Sequence, residues 1–365
     1  KLKDLFRAPR NKDLIDRSIL IATEPPVRAV LLFMEGLSDK TVINDNIMEP
    51  LMLLAQELHL TPGQGHDALD RIEQRLLAGH QVSRKYDQSS IAESLLSGDT
   101  VVLVDGAAVA LAVETKDPPT RSVGDPKTEQ VIWGPHDAFN EAWRVNVALV
   151  RRRLKDPRLV TEILTVGDVS KTYVGMMYID TIAPPALVDE VKRRVEAVKV
   201  DIITSSGTLQ QYIEDSPRSL LPSTLITERP DRTAAYLSEG HVALFVDTAP
   251  HAIICPTTFW ALLQTAEDYY LRWPFGSALR YIRLGALVIA LMLPAFYIAV
   301  VNYHPEMIPT AMMLFIAQSR EPVPMPSVVE LLVMDVVFEL IREACPRIPG
   351  VIGPTVGLVA SLVLG

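Results

Sequence analysis

Residues 284–305 form a run of 22 residues without a Lys, Arg, Asp or Glu, after a long stretch of ordinary charged sequence. At 1.5 Å rise per residue, roughly 20 apolar residues cross the ~30 Å hydrocarbon core of a bilayer. The run therefore predicts a membrane span over about residues 281–303. Pro294 interrupts it, which a membrane helix tolerates when neighbouring groups satisfy the freed carbonyl. The core helix of a soluble protein is the competing reading. Tyr281, Tyr297 and Tyr303 stand where interfacial or buried rings are expected. Arg272, Arg280 and Arg283 crowd the N-terminal side, whereas the next basic residue after the run is Arg320. By the positive-inside rule the long N-terminal part is expected in the cytoplasm. The opening KLKDLFRAPRNKD lacks the apolar stretch of a signal peptide. The chain starts on Lys, and residues 351–365 are uncharged but too few to cross comfortably. It is expected to be a fragment whose last residues open a further span.

Composition excludes more than it assigns. Hydrophobic content of 48% and a positive mean hydropathy fit a mixed soluble and membrane chain of two or three domains. A net charge of −9 without a basic, aromatic-studded stripe argues against a nucleic-acid surface. Cys255 and Cys345 are isolated, so neither a disulfide framework nor a zinc site is indicated, and both read as small buried hydrophobes.

The part before the span contains one pattern twice. Residues 29–34 (AVLLFM) are a strand-like run followed by a helical stretch over about 39–58; residues 173–179 (YVGMMYI) are followed by one over about 184–198. Phe33 aligns with Tyr178, Leu37 with Ile182 and Val42 with Leu187. Residues 95–106 parallel 236–247, each a helix end, a small turn and a strand closing on Asp105 or Asp247. Short apolar strands follow at 109–113 and 252–255. Two similar α/β subdomains are expected, at 1–134 and 159–272, with Phe33 superposing on Tyr178 and Val104 on Val246. Between them, Phe139, Trp143, Val147 and Val150 recur at helical spacing, predicting a linker helix within 135–158 that starts near Pro135. Residues 116–129 form a Pro-rich loop of the length that is often functional, and the polar stretch 64–90 is expected to hold helix.

The remainder, 273–365, is predicted to be an all-α multispan membrane region. Residues 307–319 are apolar but short, a re-entrant segment or a short span. Residues 327–344 predict a helix capped by Ser327 with Glu330, carrying Asp335, Glu339, Arg342 and Glu343 on one face. Such a strip either lies in the membrane interface or faces a watery lumen.

Enzyme signatures are absent: no phosphate loop, nucleophile elbow or HExxH, and no His pair at metal-ligand spacing. Ser97-Gly98-Asp99 reads as a turn. Glu228-Arg229-Pro230-Asp231-Arg232 reads as a helix entry, with Asp231 as N-cap beside a Glu–Arg pair. The run Arg151, Arg152 and Arg153 reads as a helix face or a set of salt-bridge partners.

Ordered blocks run through the chain: Leu96-Ser97-Gly98-Asp99-Thr100-Val101, Pro126-Lys127-Thr128-Glu129 with Gly134-Pro135, Phe139-Asn140-Glu141, Asn146 and the Arg151–Arg153 run. They continue through Thr227–Arg232, Thr258-Phe259-Trp260, Glu267-Asp268-Tyr269-Tyr270, Leu293-Pro294-Ala295 and His304-Pro305-Glu306-Met307. Together these blocks resemble the A subunits of GerA-type spore germinant receptors. The family usually has Arg where Trp133 and His136 stand, and Gly where Thr248 follows Asp247. The resemblance implies a non-enzymatic, cofactor-free protein of the inner spore membrane with a cytoplasmic N-terminal domain. Its partners would be a transporter-like B subunit, a lipoprotein C subunit, membrane lipid and further copies of itself. An oligomeric ligand-gated ion channel that triggers germination is the function implied; a membrane-tethered ligand- or partner-binding module without a pore is the alternative. On the channel reading Glu330, Asp335, Glu339 and Glu343 line the pore, and His304, Pro305 and Glu306 mark the membrane boundary. Arg151, Arg152, Arg153, Glu228, Arg229 and Asp231 hold the linker helix or couple the subdomains. No ligand-binding residue is assigned.

Overall fold

A computed structural model describes residues 1–23, 26–55, 69–73, 77, 81–116, 124–320 and 325–344. The chain divides into two compact units, Lys1–Gly276 and Ser277–Gly365. In the first unit the strands are β1 (Leu14–Ile21), β2 (Val27–Met34), β3 (Val82–Lys85), β4 (Thr100–Val104) and β5 (Ala110–Val113), then β6 (Leu159–Val166), β7 (Thr172–Ile179), β8 (Leu225–Thr227), β9 (Val242–Val246) and β10 (Ala252–Cys255). Its helices are α1 (Leu2–Leu5), α2 (Lys40–Ile43, continued by π-helical turns at Asn44–Met48 and Pro50–Leu54), α3 (Gln88–Ser97), α4 (Trp143–Arg153), α5 (Pro185–Ala197), α6 (Ser206–Ile213), α7 (Pro230–Ser238), α8 (Phe259–Leu262) and α9 (Glu267–Tyr270).

The strands build two five-stranded sheets, ordered β1-β2-β4-β5-β3 and β6-β7-β9-β10-β8, and every strand pair is antiparallel. The pairing registers of the two sheets correspond. Leu14 opposite Met34 is matched by Leu159 opposite Ile179, and Ala29 opposite Val104 by Val174 opposite Val246. Thr100 opposite Val113 is matched by Val242 opposite Cys255, and Lys85 opposite Ala110 by Thr227 opposite Ala252. Phe33 and Tyr178 thus hold equivalent places, as do Val104 and Val246. A one-residue slip would turn every side chain to the other face, so matched registers mean matched cores.

Both sheets are covered on both faces, which is why their central strands read as continuous apolar runs. Along β2, Leu31 and Phe33 enter one core while Leu32 and Met34 enter the opposite one. Along β7, Met176 and Tyr178 alternate with Met177 and Ile179 in the same way. The outer strands β1, β3, β6 and β8 escape the sequence pattern: β1 carries Asp16 and Arg17 mid-strand, and β3 lies inside the stretch expected to be helical.

The linker helix begins at Trp143 rather than near Pro135. The residues before it place their backbone groups elsewhere: the Pro135 carbonyl accepts from Arg229 at 2.9 Å, and the Phe139 amide donates to the Glu228 carbonyl at 2.8 Å. Trp143, Val147 and Val150 pack on the second sheet, whereas Ala148 belongs to the core of the first. Gly175 on β7 makes room for this helix, since a Cβ there would sit 2.8 Å from the Trp143 ring.

The second unit is helical. Helix α10 (Trp273–Tyr303) has 31 residues with Pro294 inside it, and α11 (Thr310–Arg320) and α12 (Ser327–Ala344) follow. Among the described residues α10 alone is long and apolar enough to cross a membrane. At ~1.5 Å per residue α11 is about 16 Å long, short of the hydrocarbon thickness. The Ser327 hydroxyl donates to the Asn302 side chain at 3.0 Å. Cys345, residues 117–123 of the 116–129 loop, residues 56–58 of the first expected helical stretch and the expected further span at 351–365 lie outside the described residues.

One turn differs between the copies. After β4, Gly106 takes φ +80°; after β9 the equivalent residue is Thr248, at φ +68°. A β-branched residue is strained there. Left-handed backbone costs an L residue roughly 1–2 kcal/mol, partly offset by the greater chain entropy glycine loses on folding. Thr248→Gly should therefore raise the thermal unfolding midpoint by about 1–3 °C, as followed by circular dichroism.

Candidate functional site

The two copies enter their equivalent helices by different chemistry. In the first, Asp87 caps α3 in the ordinary way, its carboxylate accepting the Ser90 amide at 3.0 Å. In the second, the N-cap position of α7 is Arg229, with Pro230 at the first helical position. Asp231 is therefore not the cap that the sequence suggests. It lies in the first turn, where Arg229 donates to its two oxygens at 3.1 and 2.8 Å. The fully buried Arg229 side chain also donates to the carbonyls of Glu129 (3.1 Å) and Pro135 (2.9 Å).

An ordinary cap has been exchanged for an anchor that binds residues 124–140 as a strap. Glu228 accepts the backbone amide of Lys127 at 2.7 Å and faces His251 Nε2 at 3.3 Å. Glu129 accepts from the Thr227 hydroxyl, the Glu228 amide and Arg232. Burial alone pushes the Glu228 carboxyl up, but the amides of Lys127 and Thr128 outweigh it and hold the group below its usual range. For Asp231, burial is likewise outweighed, by Arg229 and the Tyr270 hydroxyl. Tyr270 itself is pushed up to about 12 by burial and by its bond to Asp231.

Beside this anchor lies a cavity of about 410 Å³, lined among others by Arg232, Tyr236, Glu239, Trp260, Gln264 and Tyr270. Arg232 ties its far wall, donating to the carbonyls of Ala261 (3.0 Å) and Gln264 (3.1 Å), and the Tyr269 hydroxyl donates to Gln264 at 2.9 Å. The volume suits a small molecule, and aromatic faces beside a carboxylate and an amide suit recognition. Among the described residues no group of three or more His, Cys, Asp or Glu could hold a metal ion. A second cavity, of about 580 Å³, runs along the equivalent helix α3 and includes Ser89, Glu93, Leu5 and Lys155 in its lining.

The arginine run divides three ways. Arg151 is fully buried and reaches both halves: its Nε donates to Asp13 at 2.5 Å, and its Nη2 to Asn11 (3.2 Å), the Leu159 carbonyl (3.0 Å) and Thr161 (3.2 Å). Arg153 pairs with Asp137 at 2.5 Å, and Arg152 is exposed. Next to Arg151, Glu162 accepts from Arg10 (2.9 Å), Tyr178 (2.6 Å) and Lys192 (2.7 Å). Sequence reading missed this second cluster, as well as Asn11, Asp13 and Tyr270, because each partner lies far away along the chain. Glu129 carried a signal: it ends the long Pro-rich loop.

In the second unit Asp335, Glu339 and Glu343 are exposed at one-turn spacing on α12, Glu330 is half-buried, and Glu339 pairs with Arg342 at 2.7 Å. Pro305 and Glu306 form a short turn after α10, and the His304 amide donates to the Ala299 carbonyl at 3.1 Å.

The model of the Bacillus/Clostridium GerA spore germination protein family matches residues 1–365. The chain belongs to this family. It is 38% identical to the uncharacterized membrane protein YfkQ of Bacillus subtilis over 92% of its own length and 64% of that protein's. It is 36% identical to spore germination protein GerLA of Bacillus cereus over its whole length and 72% of the relative's. Against spore germination protein KA of Bacillus subtilis it is 35% identical over 97% of the chain, and it spans 64% of KA's length. The crystal structure of the N-terminal domain of the A subunit of the Bacillus megaterium spore germinant receptor GerK3 matches with a TM-score of 0.55 at 30% identity, over 71% of this chain and 92% of that domain. The chain is thus a GerA-type A subunit, with two similar sheet subdomains followed by a membrane-associated helical region.

Removing Arg229 would strand Asp231 and two carbonyls. Breaking a buried pair in this way costs about 3–5 kcal/mol, so Arg229→Ala should lower the denaturation midpoint sharply. Glu228, Asp231 and Glu162 all have folded pKa values depressed below their ordinary ones. They bind fewer protons folded than unfolded, so their contribution is full above the ordinary carboxyl range and lost as pH falls through the depressed values. Thermal midpoints measured from pH 7 downward should begin to fall near pH 5, and Glu228→Gln should flatten that slope.

Proposed function

We infer that this chain is the membrane-tethered binding part of a germinant receptor A subunit, which holds a small ligand or a partner segment in the α7 cavity and has no pore of its own. The observation that carries this reading is the cavity's far wall. Residues 258–270 form it, and the same segment runs directly on into α10. An occupant that orders Trp260, Gln264 and Tyr270 acts on the residues entering the span, and the Tyr270–Asp231–Arg229 bonds carry the change to the strap. In this reading the subunit works in the inner spore membrane beside a transporter-like B subunit and a lipoprotein C subunit. The arginines at 272, 280 and 283 favour a cytoplasmic first unit.

The channel reading has one specific support, the exposed acidic strip Asp335, Glu339 and Glu343, which repeated around a symmetric assembly would attract cations. The two readings separate in spores carrying the receptor. Ala235 lines the cavity on an exposed helix position, so Ala235→Trp fills the space without disturbing a core. Binding predicts normal receptor abundance with the nutrient response slowed by roughly tenfold or more, the loss of one affinity decade. An unaltered response would overturn it. Asp335→Asn with Glu339→Gln should leave ion release unchanged, whereas altered cation flux would favour the pore.

A further inference from the structure

Among the described residues that line the α7 cavity, the arginine is already paired and one carboxylate is not. Arg232, Ala235, Tyr236 and Glu239 line it at helical spacing, so they share one face of α7 and its C-cap. Arg232 donates from one terminal nitrogen to Glu129 and from the other to the carbonyls of Ala261 and Gln264. The hydroxyl of Tyr270 goes to Asp231, which Arg229 also holds, and that of Tyr269 goes to Gln264. Glu239 is exposed, and its carboxylate meets no donor or cation among the described residues. It stands about 10 Å along the helix from Arg232, whose charge Glu129 matches.

The surroundings of Glu239 favour a positive charge. It sits at the C-terminal end of α7, where a helix carries its partial negative charge. His241 adds an acceptor to the lining. Its Nδ1 lies 3.1 Å from the Tyr236 carbonyl, which can only accept, so Nδ1 carries the hydrogen and Nε2 of the neutral ring keeps its lone pair. Trp260 and Tyr269, 58% and 67% exposed, offer open ring surface to the same cavity. Aromatic rings attract a cation electrostatically, and more strongly as water is excluded.

The first copy lacks this chemistry. Counted back from the matched glycines Gly98 and Gly240, the residues Glu239, Tyr236 and Arg232 correspond to Ser97, Ser94 and Ser90. The shared scaffold does not call for a carboxylate or a ring at these places; they belong to the cavity.

We propose that the α7 cavity takes a small organic cation, an ammonium carried on an apolar body, with the charge at Glu239 and the body against Trp260 and Tyr269. The proposal rests on the reading of this cavity as a ligand site and names the class of ligand. A ligand carboxylate finds no open cation here and is repelled by Glu239.

The test titrates the full chain, solubilised in a non-ionic maltoside detergent, by isothermal calorimetry. The probes are benzylamine, a cation at neutral pH, and two molecules of similar shape, uncharged benzyl alcohol and anionic benzoate. Benzylamine should bind one site per chain roughly tenfold or more tightly than benzyl alcohol, with benzoate weaker still. Glu239→Gln should bring benzylamine close to the alcohol and leave the alcohol unchanged. Ala235→Trp should abolish binding of both, which separates the cavity from the micelle. Equal affinity for amine and alcohol, benzylamine binding untouched by Glu239→Gln, or no saturable binding at millimolar benzylamine would each overturn the proposal. The ligand-site reading is judged apart from these, by whether Ala235→Trp slows the nutrient response in spores.

Discussion

The two halves of the first unit are held as one body by a guanidinium that cannot reach water. Arg151 rises from the linker helix into a space walled by Asn11 and Asp13 of the first half and by Leu159 and Thr161 of the second. Burying such a charge costs several kcal/mol, which only a close carboxylate and well-placed acceptors offset. The arrangement is therefore intolerant of displacement: sliding one sheet past the other would separate Arg151 from Asp13 and leave two charges buried and unpaired. Apolar packing alone would permit such a slide at low cost, because it has no direction. The Glu162 cluster repeats the principle nearby with Arg10, Tyr178 and Lys192.

Duplication supplies the scaffold, and divergence between the copies supplies the site. The matched glycines Gly98 and Gly240, at φ +96° and +94°, each let the chain pass close to an equivalent carbonyl, that of Leu37 or Ile182. Against this constancy the exchange of Asp87 for Arg229 at the helix entry stands out. A cap contributes about 1 kcal/mol, and giving it up is compensated by the strap that Arg229, Glu228 and Glu129 hold in place. The aromatic cavity lies beside that strap, in the half whose chain continues into α10.

Much of this was legible in residue order. Central strands announce themselves because both faces are buried, so β2, β4, β7 and β9 read as apolar runs. The outer strands did not: the mid-strand Asp16 and Arg17 of β1 break the apolar pattern, and only pairing with β2 reveals it as a strand. The linker helix was visible from Phe139, Trp143, Val147 and Val150, but its start was not. Where a helix begins depends on where the preceding amides and carbonyls find partners, and those partners are Glu228 and Arg229, distant in the chain.

Sequence by itself determined an apolar run of spanning length, the duplication, the absence of enzyme motifs and the family resemblance, because each rests on local pattern: apolar length, strand periodicity, ordered motif blocks. Tertiary structure alone decided which charges meet. Arg151 could have been a solvated helix face; it is buried because residues 11–13 fold back across β6 and bring Asp13 to it. Asp231 has the right residue type and place to cap a helix, yet it pairs with Arg229, since Pro230 sets the helix start and the strap supplies the carbonyls that hold the arginine. Electrostatic partnership depends on distance through space, and nothing in residue order encodes that distance until the sheets have packed.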